Sequence, residues 1–571
     1  MVAPTWPGGR RAREALLDLW VLVPVVVLGW PLLTRGGYPF ARDLVLTPRL
    51  PLRPESVGLG TSSPRAAPLD AVVGVLSLGV DGAVLGRLAV LGGLALAGWG
   101  AHRLAGPLGV PARLLVGALA VWNPFVVERL GLGQWALLLA YAALWWVAHA
   151  AVRARADGRL LPRLAPWLAL GALTPTGAVL TGAVALAAGL RRRGAGGRAD
   201  LGLLGLVGAA QLPWLLPSLL SSATATSDPA GVAAFAARAE LPGPALLSLL
   251  GLGGVWDRLS VPGSRSGVLG ALTVLVVLAG LVAGWRRGLP GRRLRACGLV
   301  GLLLAALTSV PLGEQLVAAG TDVVPGLGLL RDAQKWLAPF VVVAVLGVGA
   351  LLDVLAGAVA RRAAALSSTV LVVALALPFV LLPDGAVVVH RVLAPSRCPA
   401  EVGQVAAAVD GRDGLLVSAP WRLYRAYPWA TAYPTYDPAS RLYDVRVVTS
   451  DALALGDRTL RGEDPLAAAV GRALDPVTPA STPALRALGV RWVLVTRTDP
   501  DGPALLEDLR RDPGARLVVD GPDLALLELT GPRAAEPGVA PAALVAVVGT
   551  DLAVLLLLVG VGLSRPPRGR P

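Results

Sequence analysis

Long apolar runs separated by short polar ones dominate the chain. Runs of membrane-spanning length occupy 15–33, 83–101, 114–127, 132–150, 201–220, 266–285, 296–311, 337–353, 364–383 and 541–563. About 20 apolar residues carry a helix across a bilayer core, so each run predicts a span. Arginine clusters recur after alternate runs: Arg10, Arg11 and Arg13; Arg103 and Arg113; Arg153, Arg155, Arg159 and Arg163; Arg191 to Arg193 with Arg198; Arg286, Arg287, Arg292, Arg293 and Arg295; Arg361 and Arg362; Arg565, Arg568 and Arg570. The positive-inside rule places all seven in the cytoplasm, together with both termini. Residues 164–190 are apolar but lie between two such clusters, so a short helical hairpin turning at Thr174-Pro175-Thr176-Gly177 is expected rather than a crossing. The N-terminal run lacks a cleavage-site pattern and reads as an anchor. The expectation is ten spans plus the hairpin.

This topology leaves 34–82, 221–265 and 384–540 outside. The resulting organisation is a membrane domain over 1–383 with a long first outer loop, an extracytoplasmic domain over 384–540, and a final helix with a basic tail over 541–571. Residues 384–540 alternate β-like runs (415–418, 491–496, 516–520, 524–529) with Ala/Leu-rich helical ones (399–409, 465–473, 484–488, 502–511), the pattern of a small α/β domain.

Composition agrees with a polytopic α-helical membrane protein: of 571 residues 55% are hydrophobic and 16% charged, with mean hydropathy +0.65. The net charge of +15 raises nucleic acid as a partner, but its distribution removes that reading. The seven clusters hold 23 arginines against Glu14, Asp157 and Asp200, while the rest of the chain carries 29 basic and 34 acidic residues. The excess is therefore a topology signal. Two cysteines and three histidines speak against a disulfide scaffold or a His-built metal site. There is no P-loop, dinucleotide fingerprint, HExxH or nucleophile elbow, and no nucleotide cofactor is expected.

Polar residues gather instead at the outer ends of the spans. Gly36-Gly37-Tyr38-Pro39-Phe40-Ala41-Arg42-Asp43 follows the first, Trp122-Asn123-Pro124-Phe125-Val126-Val127-Glu128-Arg129 with Gly133-Gln134-Trp135 joins the third and fourth, and Leu330-Arg331-Asp332-Ala333-Gln334-Lys335-Trp336 precedes the eighth. All three lie on one boundary, so a shared cavity holding carboxylates and cations is expected. Arg331 and Lys335, four residues apart, would share a helical face, although an interfacial anchor with Trp336 accounts for them equally. Arg49, Arg53 and Arg65 read as surface charges. In the outer region five of the seven tyrosines (424, 427, 433, 436 and 443) interleave with Trp421 and Trp429. Such aromatics suit sugar rings, or equally a domain core or a seat on the membrane.

The runs at 123–146 and 330–339, with GEDP at 462–465 and LGVRWVLV at 488–495, resemble the GT-C superfamily of membrane glycosyltransferases, in particular its actinobacterial arabinofuranosyltransferase-like branch. That resemblance implies transfer of a sugar from a polyprenyl-phosphate donor to an envelope glycan or lipid acceptor on the outer face of the plasma membrane. The family's first-loop acid falls on Asp43. Many members pair that acid with a second, whereas Arg42 stands beside it here, and a divalent cation is left open. A phosphate leaving group calls for cations rather than an acid, which suggests Arg129, Arg331 and Lys335 as donor-phosphate ligands. The acceptor hydroxyl calls for a base: Asp43 first, then Glu128, with Asp332 in reserve and Arg42 and Gln134 in support. Trp421, Tyr424 and Trp429 are the candidates for glycan contact. The alternatives are a catalytically silent GT-C-like scaffold and a transporter for a lipid-linked precursor. The spans are nearly free of ionisable residues, which weighs against the transporter.

Overall fold

The computed structural model describes residues 9–157, 159–190, 197–223, 227–362, 367–431, 433–456, 458–478 and 480–564. The arginines at 191–193 and the tail arginines at 565, 568 and 570 lie outside the described residues, as do the side chains of Arg10, Arg155, Arg198 and Arg362. Among the described residues seven helices are long and apolar enough to span a bilayer: Arg11–Thr34, Gly82–Leu104, Val110–Gly131, Trp135–Ala154, Val268–Arg286, Ala333–Arg361 and Pro541–Leu563. Three further pairs pass the same test but are bent: Ala199–Ala209 with Leu212–Leu220 by 47°, Arg292–Leu307 with Pro311–Val323 by 85°, and Ser368–Leu381 with Gly385–Leu393 by 60°. Ten spans result if each bent pair is one.

The first bend breaks the run expected at 201–220, whereas the other two fall at the ends of the runs expected at 296–311 and 364–383, where prolines stand. Pro311 opens its helix and holds Val310 extended (φ −118°, ψ 140°), and Pro383 lies between the arms of the other pair. Residues 164–190 form part of the hairpin Leu160–Gly171 and Pro175–Gly189. Thr174 turns the chain there by accepting from the Gly177 amide at 3.1 Å, with Pro175 as the first helical residue.

Helix Val110–Gly131 is the axis of the bundle, with its apolar stretch 94% buried against 17% for Pro541–Leu563. One end of the bundle carries the described arginine clusters and ties its loops with carboxylates. Arg113 donates twice to Glu14 (2.8 and 2.7 Å), and Asp353 pairs with Arg287 while accepting from the Gly109 amide at 2.8 Å.

The opposite end carries all the strands. In chain order they are β1 (Tyr38–Ala41), β2 (Leu44–Val45), β3 (Pro395–Ser396), β4 (Leu415–Ala419), β5 (Tyr424–Arg425), β6 (Thr435–Tyr436), β7 (Val447–Val448), β8 (Leu453–Leu455), β9 (Arg458–Leu460), β10 (Val490–Thr496), β11 (Ala515–Asp520) and β12 (Leu524–Leu529). The main sheet runs β11-β12-β10-β4-β7, with β10, β4 and β7 parallel and β12 and β11 antiparallel. Strand alternation sorts its residues. Leu415, Val417, Val493, Val495 and Leu527 pack under helices Pro465–Leu474, Ser481–Ala487 and Gly502–Arg510, whereas Leu416, Trp492, Leu494 and Leu526 pack against helix Ala400–Val409 and Tyr443.

This α/β unit is joined to the bundle through the loop after the first span. Strand β1 pairs with β2 and with β3, Arg441 binds Asp70 at 2.9 and 3.1 Å, and Arg446 binds Glu55 at 3.0 Å.

Helices Val268–Arg286 and Ala338–Arg362 cross where two glycines face each other. A Cβ on Gly280 would lie 2.6 Å from the Val348 amide, and one on Gly347 would lie 2.7 Å from the Gly280 carbonyl. Small residues at such crossings let membrane helices pack backbone to backbone. Gly280→Leu is expected to destabilise the protein by about 1–3 kcal/mol or more, because the obstructing atoms are backbone. The check is the thermal unfolding midpoint in detergent; no change would mean that the helices do not touch here.

Candidate active site

Strands β1 and β2 form a hairpin whose two-residue tip is Arg42-Asp43. Arg42 sits at φ +57°, a conformation that hairpin turns usually give to glycine, asparagine or aspartate. Strain of this kind costs about 1–3 kcal/mol and persists only where the surroundings impose it. Here they do. The Arg42 amide donates to Pro434 O at 3.1 Å and its carbonyl accepts from Tyr436 N at 2.9 Å. Its guanidinium lies 3.2 Å from Asp257 and 4.6 Å over the Tyr433 ring. Arg42 therefore anchors the tip and makes no ion pair with Asp43.

Asp43 is held on both oxygens. Oδ1 accepts a hydrogen bond from the Tyr424 hydroxyl, and Oδ2 accepts from Gln134 Nε2 at 3.2 Å. The side chain is open to solvent, yet enough protein surrounds it for burial to push its pKa above the ordinary value, against the pull of those two hydrogen bonds. Both observations fit a carboxyl on the floor of a cleft.

From Asp43 a chain of hydrogen bonds runs into the bundle. Gln134 Oε1 accepts from Arg129 Nη1 at 2.6 Å. Arg129 also binds both oxygens of Asp332 (2.6 and 3.0 Å) and donates Nε–H to Gln334 Oε1 at 2.6 Å. Gln334 in turn donates to Glu128 Oε2 at 2.9 Å, which also accepts from Val255 N at 3.2 Å. The Asn123 side chain starts this helical segment by capping Val126 N at 3.1 Å, so Glu128 and Arg129 lie inside a helix rather than in a loop.

Glu128, expected as a second base, and Arg129, expected as a donor-phosphate ligand, lie beneath the surface that carries Asp43. Both have zero relative exposure. Four of the five N–H groups of Arg129 are taken up by Gln134, Asp332 and Gln334. Glu128 faces Gln334, Val255 and the neighbouring Glu240–Arg265 pair (2.9 Å), out of reach of an acceptor hydroxyl.

Arg331 and Lys335 remain at the cleft, though not on one α-helical face. Lys335 sits on the 3₁₀ turn Ala333–Leu337 and Arg331 directly follows another, Leu327–Leu330, with Asp332 (φ −82°, ψ 87°) between the two. Arg331 lies 5.2 Å over the Phe235 ring and 3.8 Å from Glu463. Lys335, half-buried and 5.8 Å from the Trp336 ring centre, has no hydrogen bond or ion pair among the described residues. Opposed to burial, the charges of Arg129, Lys335 and Arg331 bring the Asp332 carboxyl below its usual range.

Of the three aromatic candidates only Tyr424 reaches Asp43. Trp421 packs on Gly471 of helix Pro465–Leu474, and Trp429 meets Phe40 edge-on at 5.3 Å and Tyr427 at 5.0 Å. Arg65, read as a surface charge, is exposed and binds Glu463 at 3.0 Å. Glu463 also accepts from Ser63 and, at 2.8 Å, from Ser227, which joins the first loop, the 221–265 loop and the α/β unit. Burial works against its ionisation, but Arg65 and the two serines draw its pKa down to about 2. Glu240, Arg265 and Asp257 escaped the sequence reading, because nothing local connects them to residues 42 or 128. Among the described residues no group of three or more His, Cys, Asp or Glu side chains is arranged to hold a metal.

Comparisons with known proteins bear on this arrangement. No family model and no curated protein matches the sequence. Among solved structures, the cryo-EM structure of arabinofuranosyltransferase AftD from mycobacteria aligns over 91% of this chain with a TM-score of 0.60 and 17% identity. The chain shares that protein's membrane fold. The alignment takes in 40% of the longer neighbour, so this chain spans about two fifths of its length. A mutant form of the same neighbour aligns over 91% of this chain and 42% of its own, at 15% identity and a TM-score of 0.47. At 17% identity the first likeness is one of fold alone.

Two outcomes follow. Arg129→Ala leaves Asp332 and Gln334 without their buried partner and is expected to cost about 3–5 kcal/mol, read as a lowered unfolding midpoint. The Glu463 contacts have the opposite exposure to pH. The folded pKa lies below the unfolded value, so their stabilisation is complete above about pH 4.3 and is lost as pH falls toward about 2. Glu463→Gln should therefore lower the midpoint at pH 7 and flatten its acid dependence between those values.

Proposed function

We propose that the protein is a membrane glycosyltransferase that moves a sugar from a polyprenyl-phosphate donor to an envelope glycan or lipid acceptor, with Asp43 as the base. The observation that carries this reading is an accessible carboxylate fixed on both oxygens, on the same side of the bundle as an ammonium, Lys335, that has no hydrogen bond or ion pair among the described residues. The membrane fold shared with an arabinofuranosyltransferase supports it. The bundle end without arginine clusters is assigned to the outer face, so residues 384–540 are extracytoplasmic and both termini cytoplasmic.

In this reading the acceptor oxygen attacks the anomeric carbon and gives up its proton to Asp43. The bond from that carbon to the phosphate oxygen breaks, and its electron pair leaves with polyprenyl phosphate. Lys335 and Arg331 bind the charge that develops there, where low dielectric strengthens the attraction. Arg129 braces Gln134 and Asp332 and touches neither substrate. No nucleotide is needed, since the lipid carrier delivers the sugar already activated.

The test is transfer by the purified protein in detergent from a panel of labelled polyprenyl-phosphate sugars, arabinofuranose first, to envelope glycan acceptors. Asp43→Asn is expected to lower transfer by about 10²- to 10⁴-fold with donor binding retained. Lys335→Ala is expected to weaken donor binding by about ten- to a hundredfold, the worth of a charge-assisted hydrogen bond. Undiminished transfer by Asp43→Asn would remove the base assignment. Transfer from no donor, with donor or glycan binding intact, would favour a silent scaffold.

A further inference from the structure

We infer that Tyr424, carried by the α/β unit, is a positioning residue for Asp43: its hydroxyl holds the carboxylate ionised and in one orientation, so the bundle alone does not complete the site. The inference deepens the reading of Asp43 as base. It rests on how the two side chains are brought together. Tyr424 lies on β5 directly opposite Tyr436 on β6. Strand β6 is bonded to the hairpin tip itself, through Tyr436 N to the Arg42 carbonyl at 2.9 Å and the Arg42–Thr435 bridge. Thr435 Oγ1 adds a bond to the Phe40 carbonyl at 3.1 Å. Two residues about 380 positions apart in the chain thus meet across one continuous run of backbone hydrogen bonds, which fixes the hydroxyl against Oδ1 before any substrate arrives.

Tyr424 is placed for this task rather than for packing. Its ring meets Tyr436 edge-on at 5.9 Å and leaves the hydroxyl aimed at the carboxylate. The other groups facing Asp43 divide by element. From the loop before Ala338–Arg362, Asp332 disfavours its ionisation, and Lys335 stands beside Asp332. From the hairpin tip, Arg42 favours ionisation. From the turn before Trp135, Gln134 donates to Oδ2, itself held by Arg129. From the α/β unit, Tyr424 donates to Oδ1, with Tyr436 behind it; from the first loop, Arg65 is the cation near both tyrosines. Among the described residues Tyr424 is therefore one of two direct side-chain donors, and the one that the α/β unit supplies. A donor bonded to a carboxylate stabilises the ionised form, and its loss raises the pKa.

The test is dicyclohexylcarbodiimide labelling of the full-length protein in detergent, read at Asp43 by peptide mass spectrometry across pH. The reagent adds to protonated carboxyls, so labelling falls as Asp43 ionises, and no turnover is required. Tyr424→Phe removes one hydroxyl and is expected to raise the labelling midpoint by about one pH unit. Where transfer is measurable, the acid limb of its pH profile moves up by the same amount. The rate below both midpoints then falls about tenfold, while the KM for donor stays unchanged. Should Tyr424→Phe fold poorly, 3-fluorotyrosine at position 424, a stronger donor, is expected to lower the midpoint. An unmoved midpoint in a folded variant overturns the inference. A wild-type protein that transfers from no donor defeats the base reading, and the labelling still decides the role of Tyr424.

Discussion

A single buried guanidinium organises the cleft. Arg129, with zero exposure, binds Gln134 from the turn that follows it and Asp332 and Gln334 from a second turn about 200 residues further on. A charge taken out of water is tolerable only when its donors are matched and a counter-charge is close, and Asp332 meets that need in bidentate geometry. That requirement fixes the turn into the fourth span, which carries Gln134, and the turn into helix Ala338–Arg362, which carries Lys335. Asp43 and Lys335 keep their places because Arg129 cannot be left unpaired.

The interior and the cleft use similar residues for different ends. Glu128, Glu240 and Arg265 are deeply buried, and Gly253 has to be a glycine among them, since an added Cβ would fall 2.5–2.6 Å from both carboxylates. Asp43, Arg331 and Lys335 keep access to solvent and lie where three loops and the α/β unit converge. Distinguishing the sets takes exposure and hydrogen-bond occupancy, which residue type does not reveal.

That distinction explains what was legible in the sequence. The apolar runs are readable because a bilayer imposes a length, and the hairpin at Thr174-Pro175 because arginines flank it. Asp43, Gln134, Arg331 and Lys335 are readable because each lies within a few residues of a span end, so topology alone places them at one boundary. Arg129 looked like a phosphate ligand because its partner Asp332 is 203 residues away. Trp421 and Tyr424 are three positions apart and equally aromatic, yet one packs on a helix and the other reaches a carboxylate. Pro311 and Pro383 end their apolar runs, and the arms bent away beyond them, Pro311–Val323 and Gly385–Leu393, were not among the expected spans.

The pairing of β1 with β3, and of the Arg42 tip with Thr435, sets the order in which the protein can mature. Phe40 and Thr435 are 395 residues apart in the chain. At about 5–20 residues per second, the hairpin waits on the order of 20–80 seconds after its synthesis for the strand that closes it. Throughout that interval the helices that will frame the cleft can insert and pack, but the cleft has no roof and the strained tip no brace. Assembly of the site thus waits until the helices up to Gly385–Leu393 have been made, and a chain cut short between that helix and residue 436 would leave behind a set of packed helices with an unfinished centre.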